Sequence, residues 1–174
     1  RTPAHLPEME NAQEFYKSTI TDAQLVRVSG VEVLQASSLA GNSIAIGANA
    51  QAAGILSLMG GSASDILSAA GMSSGNIWIQ GDAVGGASTV GDTLVAGTGT
   101  SRATLVGNNH ADADNYFQIS TASLLGNNSI VGGSNSDDYL QITGSNQTLS
   151  DASFTQVSEL NGLILSGGLN SITL

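Results

Sequence analysis

The chain has 174 residues and a formal net charge of −10, with only four basic residues. That balance leaves no basic patch to neutralise phosphates, which excludes nucleic acid as a partner and disfavours anionic membrane surfaces. Cysteine is absent, which excludes disulfide frameworks and zinc–thiolate sites, and no run of about 18 apolar residues exists to span a bilayer. The apolar fraction of 41% suffices for a core, but aromatics make up 4% and glycine contributes 22 residues. Small residues at this density favour thin, regular layers. By length this is one domain or a piece of a larger repeat array. The chain begins with Arg1 and has no visible signal peptide, which fits a processed or excised segment.

Residues 1–20 read as an N-terminal cap or docking segment, helical or extended. Both prolines lie here, together with three of the five glutamates and the only lysine. Pro7 followed by Glu8 and Glu10 matches the first turn of a helix, and Met9, Ala12 and Phe15 or Tyr16 continue at helical spacing. Covering an open end of a repeat fold is the simpler role; docking onto a neighbouring subunit is the other.

After Thr21 the period changes to two. The recurring unit is Asn or Asp, any residue, apolar, any, apolar. It appears from Asn42, Asp65, Asp92, Asn115, Asp138 and Asn170, and in shortened form from Asn128. Alternation places the apolar members on one face of a strand. Further short runs lack the leading Asn or Asp, among them Ile77-Trp78-Ile79. There, either the isoleucines face inward and Trp78 is exposed, or Trp78 is the core residue in the opposite register. Gly-Gly and Gly-Asn pairs such as Gly60-Gly61, Gly132-Gly133 and Gly167-Gly168 separate the runs, and they read as sharp turns with positive φ. Many short strands, small inward residues and no proline after Pro7 predict an all-β fold, specifically a parallel β-solenoid over residues 21–174.

A longer repeat is also present. Ser150–Ser158 aligns with Thr21–Ser29, Leu163 with Leu34, and Asn170–Leu174 with Asn42–Ile46 after a one-residue gap, a period of about 129 residues. On this reading residues 150–174 begin a second copy of residues 21–46. The chain then stops inside a repeat, either cut from a longer tandem protein or completed at that edge by another chain.

Gly60-Gly-Ser-Ala-Ser-Asp65-Ile-Leu67 resembles the nonapeptide repeat of RTX, hemolysin-type calcium-binding proteins, with Ala63 in place of the middle glycine. Gly132-Gly-Ser-Asn-Ser-Asp137 is a second partial match, and Gly91-Asp92-Thr-Leu94 keeps the second half. Residues 21–174 as a whole resemble the repeat-rich surface proteins of bacteria, cyanobacteria especially. Asn42-Ser-Ile-Ala-Ile-Gly47-Ala-Asn-Ala50 is also similar to the head repeat of trimeric autotransporter adhesins, although the match occurs once.

The RTX resemblance implies calcium, with Asp65, Asp92, Asp114, Asp137 and Asp138 as the contributing carboxylates. Calcium requires six to eight oxygens, so one turn must be completed by another. The alternative is that these residues satisfy backbone groups at turns. The loop Asn108–Asp114 sets His110, Asp112 and Asp114 at alternate positions, a spacing that suits a divalent metal or a solvated loop. Catalysis lacks support: His110 and His5 are the only histidines, and no phosphate-binding loop is present. The expectation is a non-enzymatic structural module of a secreted bacterial surface layer, extracellular fibre or adhesin, self-associating head to tail and not inserted in a membrane. The alternatives are a calcium-dependent RTX-type module of a secreted enzyme or toxin, and a carbohydrate-binding β-helix.

Overall fold

The computed structural model describes residues 12–15, 19–37, 41–82, 90–108, 110, 113–126, 128–134 and 137–173. The chain is mostly parallel β-sheet with a few short helices. One seven-stranded sheet contains β1 (Ala12–Phe15), β3 (Val33–Ala36), β5 (Ser57–Gly60), β7 (Asn76–Asp82), β9 (Arg102–Val106), β11 (Ser129–Val131) and β14 (Val157–Ser158), in that order. The second contains β2 (Thr19–Thr21), β4 (Ser43–Ala45), β6 (Ile66–Ser68), β8 (Thr93–Val95), β10 (Tyr116–Ser120), β12 (Tyr139–Thr143) and β15 (Gly162–Leu165). A two-stranded sheet joins β13 (Thr148–Ser150) to β16 (Ser171–Thr173). Through β12 the strands alternate strictly between the two large sheets. Each circuit of the chain therefore adds one strand to each sheet, and each strand pairs in parallel with its counterpart one circuit later.

The register explains why the sequence alternates. In the second sheet Ile20, Ile44, Leu67, Leu94, Phe117, Leu140 and Leu163 are successive partners. In the first sheet Leu34, Leu58, Ile79, Leu105, Ile130 and Val157 form the equivalent column. Both columns are almost wholly buried until their last member. With strands about 4.8 Å apart, like side chains stack directly on one another. A thin core of Leu and Ile then fills the space without many aromatics. Trp78 lies on the outward face of β7 between the buried Ile77 and Ile79, and is 45% exposed, which settles its register.

Two expectations need correction. The helical spacing at Ala12 and Phe15 does not give a helix, since Ala12–Phe15 is a strand paired in parallel with Val33–Ala36. A few apolar residues cannot fix a period, and the exposed backbone edge of β3 supplies the hydrogen bonds that decide it. Residues 1–11, with Pro7 and Met9, lie outside the described residues. The second correction concerns Gly60 and Gly132, neither of which has positive φ. A Cβ on Gly60 would stand 1.7 Å from the carbonyl oxygen of Gly81, and one on Gly132 would stand 1.8 Å from that of Glu159. Glycine is needed there because the next circuit passes too close for any side chain.

The long repeat has a structural counterpart at its start. Asp22–Leu25 and Asp151–Phe154 are both single 3-10 turns that follow a strand. The Thr21 N–H donates to Gln24 Oε1 (2.8 Å), and the Ser150 N–H donates to Ser153 Oγ (3.1 Å). Beyond this unit the two stretches diverge, because Leu34 lies in the first large sheet and Leu163 in the second.

Truncating a column side chain should leave a cavity closed above and below by its neighbours. Leu94→Ala is expected to cost about 2–5 kcal/mol of unfolding free energy. Ile66→Ala, one residue from the buried Leu67 but 49% exposed, should stay within about 0.5 kcal/mol of the parent. Chemical denaturation of both variants checks this contrast.

Candidate functional site

The leading Asn or Asp of the repeated unit stands just before each strand of the second large sheet from β4 onward. Its side chain is committed to the backbone of the circuit before it. The N–H of Asn42 donates to Asp65 Oδ1 (2.6 Å), and that of Asp65 to Asp92 Oδ1 (2.7 Å). The series continues from Asp92 to Asn115 (3.0 Å), from Asn115 to Asp138 (2.8 Å) and from Asp138 to Asn161 (3.2 Å). Successive members are 23, 27, 23, 23 and 23 residues apart. Asn42, Asp65, Asp92, Asn115 and Asp138 are buried, so each of these bonds covers a backbone donor that water cannot reach. Asn161 was not picked out in the sequence, although Asn161-Gly-Leu163-Ile-Leu165 fits the same five-residue pattern. Asn128 and Asn170 serve other corners, accepting from the N–H groups of Ala103 and Gln147.

This ladder takes up three of the five carboxylates expected to bind calcium. Asp65 Oδ1 also accepts from Asn42 Nδ2 (2.9 Å), and its Oδ2 accepts from the Gly61 N–H (2.6 Å). Asp138 repeats the arrangement with Asn115 Nδ2 and the Gly133 N–H. Asp114 and Asp137 lie apart from the ladder on the outside, one circuit from each other, and the Asp137 N–H donates to Asp114 Oδ1 (3.2 Å). Beside them the rings of Tyr116 and Tyr139 stack with centroids 5.4 Å apart. Asp137 and Asp138 thus point to opposite sides, as strand alternation requires. His110 is half-buried, and Asp112 lies outside the described residues. Among the described residues no group of three or more His, Asp or Glu side chains is gathered to hold a metal ion.

Asp92 is the exception within the ladder. The members preceding Asp65 and Asp138 are asparagines, whose Nδ2 donates to the carboxylate. The member preceding Asp92 is Asp65, which as a carboxylate has no such donor. Asp92 Oδ1 still accepts from the Asp65 N–H, but its Oδ2 is buried without a hydrogen-bond partner. Desolvation pushes the Asp92 carboxyl up to about 8, and the nearby charges of Asp82 and Asp65 add to it against the Asp65 hydrogen bond. Asp82 is itself buried and accepts from Asn108 Nδ2 (2.7 Å).

A different carboxylate shows how one circuit caps the next. Asp22 Oδ1 accepts from the N–H groups of Gly47 (2.7 Å) and Ala50 (2.9 Å), and Oδ2 from that of Asn49 (3.0 Å). These are the leading donors of α1 (Ala48–Ala53), whose positive dipole end favours an anion. Burial alone would raise the Asp22 pKa, but the Ala50, Asn49 and Gly47 hydrogen bonds outweigh it and hold the carboxyl below its usual range.

The last described circuit ends on exposed apolar residues. Leu163 is 38% exposed, although its column partner Leu140 is only 1% exposed. Leu169 and Ile172 are also exposed. Leu140, Phe154, Val157, Leu160 and Leu163 line an open cavity of about 230 Å³. Asp151, the counterpart of Asp22, is exposed, and no described residue donates to its carboxylate. No protein-family model, curated protein or solved structure matches the chain.

Asp92 should make stability depend on pH. Its folded-state pKa of about 8 lies above the unfolded value of about 3.9, so the folded state holds the extra proton between the two. Stability from this group is fully present below pH ~4 and falls as pH rises through ~8. Asp92→Asn keeps the Oδ1 acceptor, as the native asparagines at 115 and 161 do. It should flatten the pH dependence of urea unfolding across this window and leave the variant more stable than the parent at pH 9.

Proposed function

We propose that the chain is a parallel β-solenoid serving as a structural repeat module of a secreted bacterial surface layer, extracellular fibre or adhesin, and that it self-associates head to tail. The observation that carries this reading is the parallel, circuit-by-circuit pairing, in which each described layer presents the same kind of apolar column to the next. Leu140, paired with Leu163, is 1% exposed, and Leu163 at the outer edge of the described stack is 38% exposed. Covering an apolar face of this kind contributes roughly 25 cal/mol per Å² removed from water. The outer backbone edges of β14, β15 and β16 add unpaired strand groups to the same face. Asp151 adds an uncommitted carboxylate, placed as Asp22 is placed where it caps the following circuit. Apolar residues, strand edges and a capping acceptor together fit a further circuit of the same fold, and a second copy of the chain can supply one.

Sedimentation velocity and negative-stain electron microscopy across a concentration series test this directly. The expected result is elongated particles that grow with protein concentration. A Leu163→Glu, Ile172→Glu double variant should stay monomeric with unchanged circular dichroism. Adding a chelator reports whether calcium contributes to assembly. A parent chain that stays monomeric at every concentration would remove self-association from the reading.

A further inference from the structure

We propose a second surface with a separate role: an open groove on the outer face of the first large sheet that binds acidic oligosaccharides, stacking a sugar ring on Trp78 and pairing its carboxylate with Arg102. The groove has a volume of about 550 Å³, within the span of roughly 300–1,000 Å³ usual for small-ligand sites. Trp78 is the only tryptophan in a chain that is 4% aromatic, yet it stands 45% exposed. Leu56, 58% exposed, lies beside it in the same groove. An indole held on a rigid strand offers a flat apolar face together with an N–H donor, a combination suited to the C–H face and hydroxyl rim of a sugar. Trp78 is fixed from behind by the buried Ile77 and Ile79, so little ordering is needed on binding.

The polar groups around it are arranged by register. Asn76 pairs with Arg102 and Trp78 with Thr104, while Ser129 pairs with Thr104 one circuit further on. These side chains and Gln156 line the groove. None of them is engaged in a side-chain hydrogen bond with a described residue. Several long amides elsewhere are committed, as in Gln118 to Gln141 (3.1 Å) and Gln51 to Ser74 (3.2 Å). The groove therefore presents donors and acceptors that no described residue satisfies.

Charge selects the class of sugar. Among the described residues no acidic side chain lines the groove, although the chain carries −10 overall. Arg102 is exposed and makes no ion pair among the described residues. It lies diagonally across the strand pair from Trp78, and diagonal neighbours on a sheet face are about 7–8 Å apart. That separation lets the guanidinium reach a carboxylate carried by a ring stacked on the indole, and its planar fork matches a carboxylate. A single cation is too little for a nucleic acid backbone. An open groove without deep apolar sockets does not suit a peptide anchor.

Trp78 is the sole tryptophan, so its fluorescence reports on the site directly. Titration with a short oligogalacturonate should give a saturable change in emission, and a neutral maltooligosaccharide should bind at least ~10-fold more weakly. Arg102→Gln should weaken the acidic ligand by about tenfold and erase the preference. Trp78→Ala should abolish binding by calorimetry while circular dichroism stays unchanged. No saturable change, or equal binding of the acidic and neutral sugars by the parent chain, overturns the proposal. So does a Trp78→Ala variant that binds oligogalacturonate normally. Loss of self-association in that variant, without any sugar binding by the parent, would assign the groove to contact between copies instead.

Discussion

The structure depends on one interaction: a backbone N–H held by the side chain of an Asn or Asp one circuit later. Six residues from Asn42 to Asn161 make this bond in series. Strand pairing satisfies the backbone within the sheets, but the corners where the chain leaves one sheet for the other have no ladder of their own. Buried donors at those corners would each cost about 1–3 kcal/mol if left unmade. The side-chain ladder removes that cost and also sets the register, since each Asn or Asp fixes where its strand begins.

Once the corner is fixed, the rest of the circuit follows. Two residues beyond each ladder position stands a member of the column from Ile44 to Leu163. Along the first sheet the next circuit passes close to Gly60 and Gly132, where glycine leaves room for it. Asn and Asp are not equivalent in this scheme. Asparagine brings a donor for the carboxylate that follows it, while aspartate brings only acceptors. The pair Asp65–Asp92 is the one place where two aspartates adjoin, and there a buried carboxyl oxygen is left without a partner.

The same architecture separates the two proposed surfaces. The proposed self-association uses the stacking direction, along which each apolar layer meets the next. The proposed saccharide groove belongs to the side, where outward residues of successive strands come into line. One face is apolar and bounded by strand edges; the other is a polar surface built around one aromatic ring. Neither role interferes with the other, because side chains on a sheet face point away from the stacking direction.

Much of this was legible in the sequence, for a physical reason. The period of two and the regular Asn or Asp both arise from neighbours within a few residues, so parallel layers with a thin aliphatic core could be read from Ile44, Leu67 and Leu94 alone. The tertiary structure decided what depends on the spacing between circuits. Asp65, Asp92 and Asp138 hold backbone groups of another circuit, and nothing local distinguishes that role from a calcium turn. Leu163 matches Leu34 in sequence but lies in the other sheet, because circuit length varies and a residue's sheet is set by the accumulated path. Asn76, Trp78, Arg102 and Ser129 share a groove only through register across three strands. A sequence states which way a side chain points within its strand; only the stacking of circuits states what stands beside it.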